Sequence, residues 1–187
     1  MTGRTDDELM AEVSGGLVDS LTQLFERHNR ALHRFFFHLT GSASTAEDLT
    51  QEVFFRMLKF RETFQSGGKF TPWMYQIARN VHFDHCRKRT IEMPVAEERK
   101  LWEPADPTPP QDWTMMRAAD VATLRRAFLR LPAAQREVLV LARYQELPYD
   151  EIARVMGCEP GTVKSRVFRA MKELSGLFVR LSGRRAS

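Results

Sequence analysis

Hydrophobic residues recur every three or four positions along most of the chain, which is the spacing of amphipathic helices. In the first half this pattern predicts helices over residues 6–14, 18–40, 44–60 and 71–89. The apolar positions of the second of these helices are Leu21, Leu24, Phe25, Leu32, Phe35, Phe36 and Leu39. No stretch shows the sustained alternation that predicts a β-strand. We therefore expect an all-α protein.

Start and stop signals support these helix boundaries. Gly41 can end the second helix, because glycine readily adopts the left-handed conformation. Ser44 and Glu47 have the spacing of a capping box at the start of the third helix. Thr71 and Pro72 predict the start of the fourth helix, as its N-cap and its first-turn proline.

The helical period disappears over residues 92–112, where prolines gather among acidic residues. The prolines of this stretch are Pro94, Pro104, Pro107, Pro109 and Pro110. Such a composition is typical of a linker, although residues 95–101 also fit a short helical turn. The sequence thus predicts two small helical domains, residues 1–91 and residues 113–187.

The second domain contains two short helices joined by a tight turn. Residues 148–156 predict the first helix, with Ile152, Ala153 and Met156 facing inward. Gly157 can end it, and Pro160 can begin the next helix. The second helix has an apolar stripe formed by Val163, Val167, Ala170, Met171 and Leu174. Its opposite side carries Lys164, Ser165, Phe168, Arg169 and Lys172.

This pattern is that of a helix-turn-helix motif, whose second helix probes the major groove of duplex DNA. The formal net charge is +4, and basic residues dominate over residues 160–187, where Glu173 is the one acidic residue. Residues 1–26 are predominantly acidic instead. A basic end suits a polyanion, whose phosphates supply most of the non-specific affinity. The alternative is an ordinary solvated charged surface.

Several classes of protein are not supported by the sequence. It contains no apolar run long enough to span a membrane, and its first residues do not resemble a signal peptide, so we expect a cytoplasmic protein without membrane insertion. Cys86 and Cys158 lie far apart in dissimilar segments, and we expect no structural disulfide. His82, His85 and Cys86 could suggest a metal site, but further ligands are not evident. We expect no cofactor and no catalytic site.

Two helices of the first domain each show a second, distinct face. In residues 46–59, and on to Phe60, the core stripe is predicted to be Leu49, Val53, Met57 and Phe60. Another face of this helix gathers Asp48, Gln51, Glu52, Phe55 and Lys59. An exposed aromatic among polar groups indicates a protein-docking surface, whereas the alternative is a plain solvated face.

The helix over residues 71–89 combines rings, amides and cations. Its inward positions are predicted to be Trp73, Ile77, Ala78 and Val81. Its other faces carry Gln76, Arg79, Asn80, Phe83, Arg87 and Lys88. This combination suits single-stranded nucleic acid, whose bases stack on rings while cations meet the phosphates. The alternative is that Trp73 and Phe83 belong to the core.

Three segments, residues 46–54, 70–80 and 161–170, resemble in order and spacing those of the extracytoplasmic-function (ECF) sigma factors, group IV of the bacterial sigma family. The resemblance covers about residues 9–89 and 118–177. It implies a region 2-like bundle over residues 1–91 and a region 4-like helix-turn-helix domain over residues 113–187, joined by the Pro-rich linker. In the family this linker replaces a third domain and threads toward the RNA exit path.

The resemblance also implies roles for particular residues. The core polymerase-binding residues, facing the clamp helices of the largest subunit, would be Asp48, Gln51, Glu52 and Phe55. The residues that bind the −10 element would be Trp73, Asn80, Phe83, Asp84, Arg87 and Lys88, although Asp84 could be structural instead. The residues that bind the −35 element would be Thr162, Lys164, Ser165, Arg166, Phe168, Arg169 and Lys172. The partners implied are core RNA polymerase (its clamp helices and flap), promoter DNA and an anti-sigma factor.

This sequence departs from the family pattern at two positions. Pro148 stands where a Ser or Thr helix cap is common, and Glu159 stands where Ser is common. Two other functions are weighed against a sigma factor. One is a stand-alone transcription regulator that uses the same helix-turn-helix, and the other is a helical metal-dependent hydrolase around His82 and Cys86.

Overall fold

The computed structural model describes residues 3–65, 67–92 and 118–183. Within these residues all regular structure is helical. The α-helices are α1 (Asp6–Ser14), α2 (Ser20–Thr40), α3 (Ala43–Lys59), α4 (Phe70–Glu92), α5 (Ala118–Leu129), α6 (Ala133–Leu139), α7 (Tyr149–Met156) and α8 (Pro160–Ser182). The predicted linker lies outside the described residues, including the turn at 95–101, except that its first residue ends α4.

Helices α1 to α4 form the first bundle. Helix α2 packs against α1 and α3, and α3 packs against α4. The centre of this bundle is apolar and fully buried, since Leu24, Leu32, Phe35, Phe36 and Met74 are 0% exposed. The Phe35 ring meets Phe36 and Tyr75 edge-on, with centroids 5.2 and 5.3 Å away, a geometry that aromatic rings favour. The predicted helical period of α2 is therefore largely confirmed.

Two predicted helix starts are wrong. The N-cap of α3 is Ser42, whose extended backbone lets its hydroxyl accept a hydrogen bond from the Thr45 amide at 3.3 Å. Ser44 lies inside the first turn, so it cannot form the expected capping box with Glu47. Helix α4 begins at Phe70 rather than after Thr71. The Phe70 amide donates to the Asp7 carboxylate of α1 at 2.7 Å, a tertiary cap that local sequence does not reveal.

Three residues assigned to apolar stripes are exposed instead. Phe25 is 43% exposed because it lies at the edge of the α2 stripe, one position beyond the buried Leu24. Phe60 is 43% exposed because α3 ends at Lys59, so Phe60 no longer follows the helical period. Met171 is 42% exposed, since it lies about 100° around α8 from the buried Ala170.

Helices α5 to α8 form the second bundle. Helix α6 continues into a π-helical turn over Val140–Tyr144, and α7 and α8 form the predicted helix-turn-helix. Gly157 has a φ of 62°, the left-handed conformation expected for the residue that ends α7. Ile152, Ala153 and Met156 are buried as predicted. The motif inferred from sequence is confirmed in this bundle.

The two bundles pack together. Helix α4 lies against α7, and α2 contacts the π-helical turn. The His38 ring of α2 stacks on the Tyr144 ring, with centroids 3.8 Å apart. In the described part of the chain, no helix is both long and apolar enough to cross a membrane.

The burial of His38 against Tyr144 should make the stability of the fold depend on pH. Burial, reinforced by the positive charges of Arg125 and Arg34, lowers the pKa of His38 from 6.5 to about 4. The unfolded chain therefore takes up this proton first as the pH falls, and the free energy of unfolding decreases between about pH 6.5 and pH 4. Urea unfolding of wild type and His38→Phe, which keeps an aromatic ring on Tyr144, measures this effect. The variant should lose less stability between pH 7 and pH 5, and an equal loss would contradict the assignment.

Candidate nucleic-acid and protein interfaces

The exposed side of α3 carries the polar set predicted from sequence. Asp48 and Gln51 are exposed, and Phe55 is 60% exposed even though it is aromatic. Glu52 is half-buried, and its carboxylate accepts a 2.6 Å hydrogen bond from the Nε of Arg56. The spacing of these four positions places them on one side of the helix, as expected. We call Asp48, Gln51, Glu52 and Phe55 the docking face.

Sequence reasoning missed the part of this surface that α2 contributes. A groove with a volume of about 710 Å³ runs between α2 and α3, lined in part by Phe25, Asn29, Arg30 and Gln51. The centroids of the Phe25 and Phe54 rings lie 4.8 Å apart, so Phe25 extends the apolar surface outward from the buried Phe54. A sequence signal existed, because Phe25, Asn29 and His33 recur every four residues along a partly polar line of α2.

The outer side of α4 presents a second surface. Asn80, Arg87 and Lys88 are exposed, and the Phe83 ring is 67% exposed. Phe83 is therefore not a core residue. We call Asn80, Phe83, Arg87 and Lys88 the α4 face. It offers one ring, one amide and two cations to a partner.

Trp73, which the family resemblance places with the −10 residues, is packed differently from the α4 face. It lies near the start of α4, seven residues or about 10 Å along the axis before Asn80. Its ring is half-buried and meets Phe64 edge-on at 5.3 Å, and its Nε1 donates to Thr63 at 3.4 Å. These contacts tie Trp73 to the preceding turn, at the far end of the surface.

Asp84 forms an ion pair with Arg56 within the first bundle. Its carboxylate accepts a 2.7 Å hydrogen bond from Nη1 of Arg56, and Arg87 Nη2 lies 4.0 Å from its other oxygen. The hydrogen bond from Arg56 is the main cause that lowers the pKa of the Asp84 carboxyl. Asp84 thus lies beside the α4 face as a partner of arginines.

The third surface lies on α8. Lys164, Ser165, Arg169 and Lys172 are exposed, and the Phe168 ring is 70% exposed. Thr162 and Arg166 are half-buried at its edge. The buried stripe of this helix, Val163, Val167 and Ala170, holds it on the bundle and turns these side chains outward. The Nε of Arg169 donates to the Ser165 carbonyl at 3.3 Å.

Polar contacts join the two bundles beside the α4 face. Arg79 pairs with Glu137 of α6 at 3.0 Å, and Gln76 donates to the Arg154 carbonyl of α7 at 2.8 Å. Gln145 accepts from the Tyr75 hydroxyl at 2.7 Å and donates to the Ala31 carbonyl at 3.3 Å. Glu137 is only 8% exposed, and this burial raises the pKa of its carboxyl. The second bundle therefore covers one side of α4.

Two family models match this chain, one within each bundle. Residues 24–91 match the model of Sigma-70 region 2, and residues 122–174 match that of Sigma-70, region 4. The chain is 34% identical to the ECF RNA polymerase sigma factor EcfG of Rhodopseudomonas palustris, over 86% of this chain and 86% of that protein. The chain belongs to the ECF RNA polymerase sigma factors.

Two further similarities agree with this assignment. The chain is 32% identical to the ECF sigma factor BldN of Streptomyces coelicolor, over 91% of this chain but only 64% of that longer protein. It superimposes on the sigma factor RpoE of Bartonella quintana, solved in complex with the anti-sigma factor NepR, with a TM-score of 0.67 and 29% identity. That superposition covers 83% of this chain and 94% of RpoE.

The two departures from the family pattern have simple structural consequences. Pro148 is the N-cap of α7 and makes no side-chain capping bond, but its backbone carbonyl still accepts from Ile152 at 3.0 Å. Glu159 is the N-cap of α8 and also makes no side-chain capping bond.

The His82 and Cys86 side chains lie 3.6 Å apart. In residues 3–65, 67–92 and 118–183, no group of three or more His, Cys, Asp or Glu residues could hold a metal.

The role of Gln145 in joining the bundles leads to a direct prediction. Gln145→Ala removes both of its hydrogen bonds to the first bundle, so this sigma factor should populate separated arrangements and its radius of gyration in X-ray scattering should increase. Gln135→Ala on α6 is the matched control, because the side-chain oxygen of Gln135 has no hydrogen-bond partner. Identical scattering of the two variants would contradict the assigned role of Gln145.

Proposed function

We propose that this ECF sigma factor binds core RNA polymerase through the docking face and directs transcription initiation at promoters with −10 and −35 elements. The observation that carries this proposal is the distribution of exposed aromatic residues. Phe55, Phe83 and Phe168 are each at least 60% exposed, on three separate helices, and each is surrounded by polar or charged groups. Exposed rings of this kind mark binding surfaces rather than core.

The docking face suits a basic partner with apolar spots. Asp48 and Glu52 supply negative charge, Gln51 supplies an amide, and Phe55 supplies buried area on binding. The groove beside it extends the surface to Phe25 on α2. We assign this combined surface to the clamp helices of the largest polymerase subunit, and the second bundle to the polymerase flap.

The α4 face suits an opened DNA strand. Phe83 offers a ring on which a base can stack, Asn80 can hydrogen-bond a base edge, and Arg87 and Lys88 can meet phosphates. Unpairing a base costs a few kcal/mol, and a stacking contact on a protein ring returns a similar amount. We infer that this face captures an unpaired base of the −10 element and so stabilises the melted strands.

The outer side of α8 suits the major groove of the −35 element. Arg169 can bridge O6 and N7 of a guanine, and the Phe168 ring can contact a thymine methyl group. Lys164 and Lys172 lie toward either end of this exposed side and can contact phosphates, which gives affinity without sequence preference.

The packed arrangement of the two bundles has to open on a promoter. The −35 and −10 elements are separated by about 25 base pairs, which at 3.4 Å each is roughly 85 Å along the duplex. Two bundles in direct contact do not reach both elements. The contacts between them include the hydrogen bonds of Gln76 and Gln145 and the ion pair of Arg79. Beside them lies a cavity of about 620 Å³ lined by Arg34, Tyr75 and Arg143, and polar contacts with such a cavity are features of an interface that can separate.

We also propose that an anti-sigma factor holds this protein inactive. Support comes from RpoE of Bartonella quintana, a similar protein solved in complex with the anti-sigma factor NepR. An inhibitor that binds across both bundles would keep the docking face and the α4 face from their partners. Purification from native cells before induction should yield such a protein, and recovery of polymerase but never an inhibitor would contradict the proposal.

Substitution of Asp48 tests the docking face. Asp48→Ala removes an exposed carboxylate and should weaken binding to core polymerase by about 1 kcal/mol or more, because interface carboxylates meet cations on the partner. Binding by fluorescence anisotropy and run-off transcription would report it. Glu62→Ala, an exposed carboxylate outside this face, should leave both unchanged. Equal effects of the two substitutions would overturn the assignment of the docking face.

Substitution of Arg169 tests −35 recognition. Arg169→Ala should weaken promoter binding by the holoenzyme by roughly 1–3 kcal/mol and relax the preference at one base pair, because it removes the bidentate contact with guanine. Arg180→Ala is the matched control on α8, since Arg180 pairs with Glu173 near the other end of the helix. An unchanged sequence preference in Arg169→Ala would refute the contact. Tight specific binding of the chain to duplex DNA without polymerase would instead favour a stand-alone regulator.

A further inference from the structure

Arg56 contacts the docking face on one side and a residue beside the α4 face on the other. It lies on α3 one turn after Glu52, and its Nε donates to the Glu52 carboxylate at 2.6 Å. Its Nη1 donates to the Asp84 carboxylate of α4 at 2.7 Å. One guanidinium therefore bridges a residue of the docking face and a residue beside the α4 face.

The geometry of this bridge is more closely defined than that of a single surface ion pair. The Arg56 side chain is 23% exposed, less than those of Glu52 at 40% and Asp84 at 34%. Separate hydrogen bonds from two nitrogens of the guanidinium fix this geometry. Burial alone would lower the pKa of Arg56, but the hydrogen bonds to Asp84 and Glu52 raise it overall, so the group stays cationic.

The bridge also defines what Asp84 does. One oxygen accepts from Arg56, and the other lies 4.0 Å from Arg87 Nη2. A carboxylate held in this way does not need a base as a partner. It braces Arg87, whose side chain remains 67% exposed and is available to a phosphate. Asp84 is thus a positioning residue rather than a direct contact of the −10 strand.

We propose that Arg56 couples polymerase docking to −10 strand binding, because it shares one positive charge between Glu52 and Asp84. This inference rests on the proposed function of the two surfaces. When a cation of polymerase engages Glu52, the Arg56 charge is less neutralised by Glu52 and acts more fully on Asp84. Asp84 then holds Arg87 less strongly, and the α4 face becomes more positive toward the strand. Binding of polymerase therefore increases the affinity for the −10 strand, and by the reciprocity of coupled binding the strand increases the affinity for polymerase by the same factor.

The coupling is measured with the full chain, core polymerase and a pre-melted promoter fragment. The fragment carries a −10 non-template strand chosen by sequencing the run-off products of the wild-type holoenzyme. Affinity of the labelled chain for core polymerase is determined with and without the fragment, and the ratio of the two dissociation constants is the coupling factor. Wild type should have a factor well above one.

Two substitutions should lower this factor. Glu52→Gln removes the shared carboxylate charge, and Arg56→Lys keeps the charge but cannot donate from two nitrogens in two directions. We expect about a threefold reduction in each, the size of one partly exposed ion pair. Glu62→Gln is the control, because it removes an exposed carboxylate outside the bridge and should keep the wild-type factor.

The outcomes separate the two claims. A wild-type chain that does not bind core polymerase overturns the proposed function and this inference with it. A wild-type chain that binds, while Glu52→Gln has the same coupling factor as Glu62→Gln, overturns the inference alone. If Arg56→Lys unfolds, the comparison of Glu52→Gln with Glu62→Gln still decides, because Glu52 is 40% exposed and its loss leaves the core intact.

Discussion

Helix α4 is the element that both bundles share, and the space around it is divided between three uses. One side of the helix is buried in the first bundle through Phe70, Met74, Ala78 and Val81. A second side carries Gln76 and Arg79, which bond to the second bundle. What remains is the narrow α4 face. Since a helix turns about 100° per residue, these sides follow one another closely around α4, and contact between the bundles limits access to the face beside it.

The arginines of this chain also fall into two groups, those paired with carboxylates of neighbouring helices and those that project outward. Arg56 and Arg79 point to carboxylates of neighbouring helices and hold the architecture together. Arg87 and Arg169 project outward, each within two turns of an exposed phenylalanine on its own helix. Cations beside rings suit nucleic acid, where phosphates and bases are presented together. The position of each arginine thus separates structural pairing from the proposed DNA contacts, and Arg56 belongs to the first group while touching the docking face.

Much of this organisation follows from short-range pattern. The period of apolar residues predicted α1 to α4, and Gly157 with Pro160 predicted the helix-turn-helix of α7 and α8, because these signals act within one or two turns. Helices α5 and α6 were not predicted. The start of α4 was misplaced because its cap is Asp7, 63 residues away. Phe25 is exposed because it lies at the edge of the α2 stripe, and Phe60 is exposed because α3 ends one residue before it. The ion pair of Arg79 with Glu137 and the bridging role of Arg56 are tertiary, and no local spacing encodes them.

On this proposal, the two bundles that pack together in the free chain separate to reach the two promoter elements. Nitroxide labels placed by Ser44→Cys and Ser175→Cys, in a Cys86→Ser and Cys158→Ser background, would report this by pulsed electron resonance, since both serines are exposed and lie in different bundles. We predict a single short distance in the free chain and an increase of several tens of ångströms in the promoter complex, given the roughly 85 Å between the elements. An unchanged distance in a transcribing complex would show that the bundles stay together and would rule out their separation.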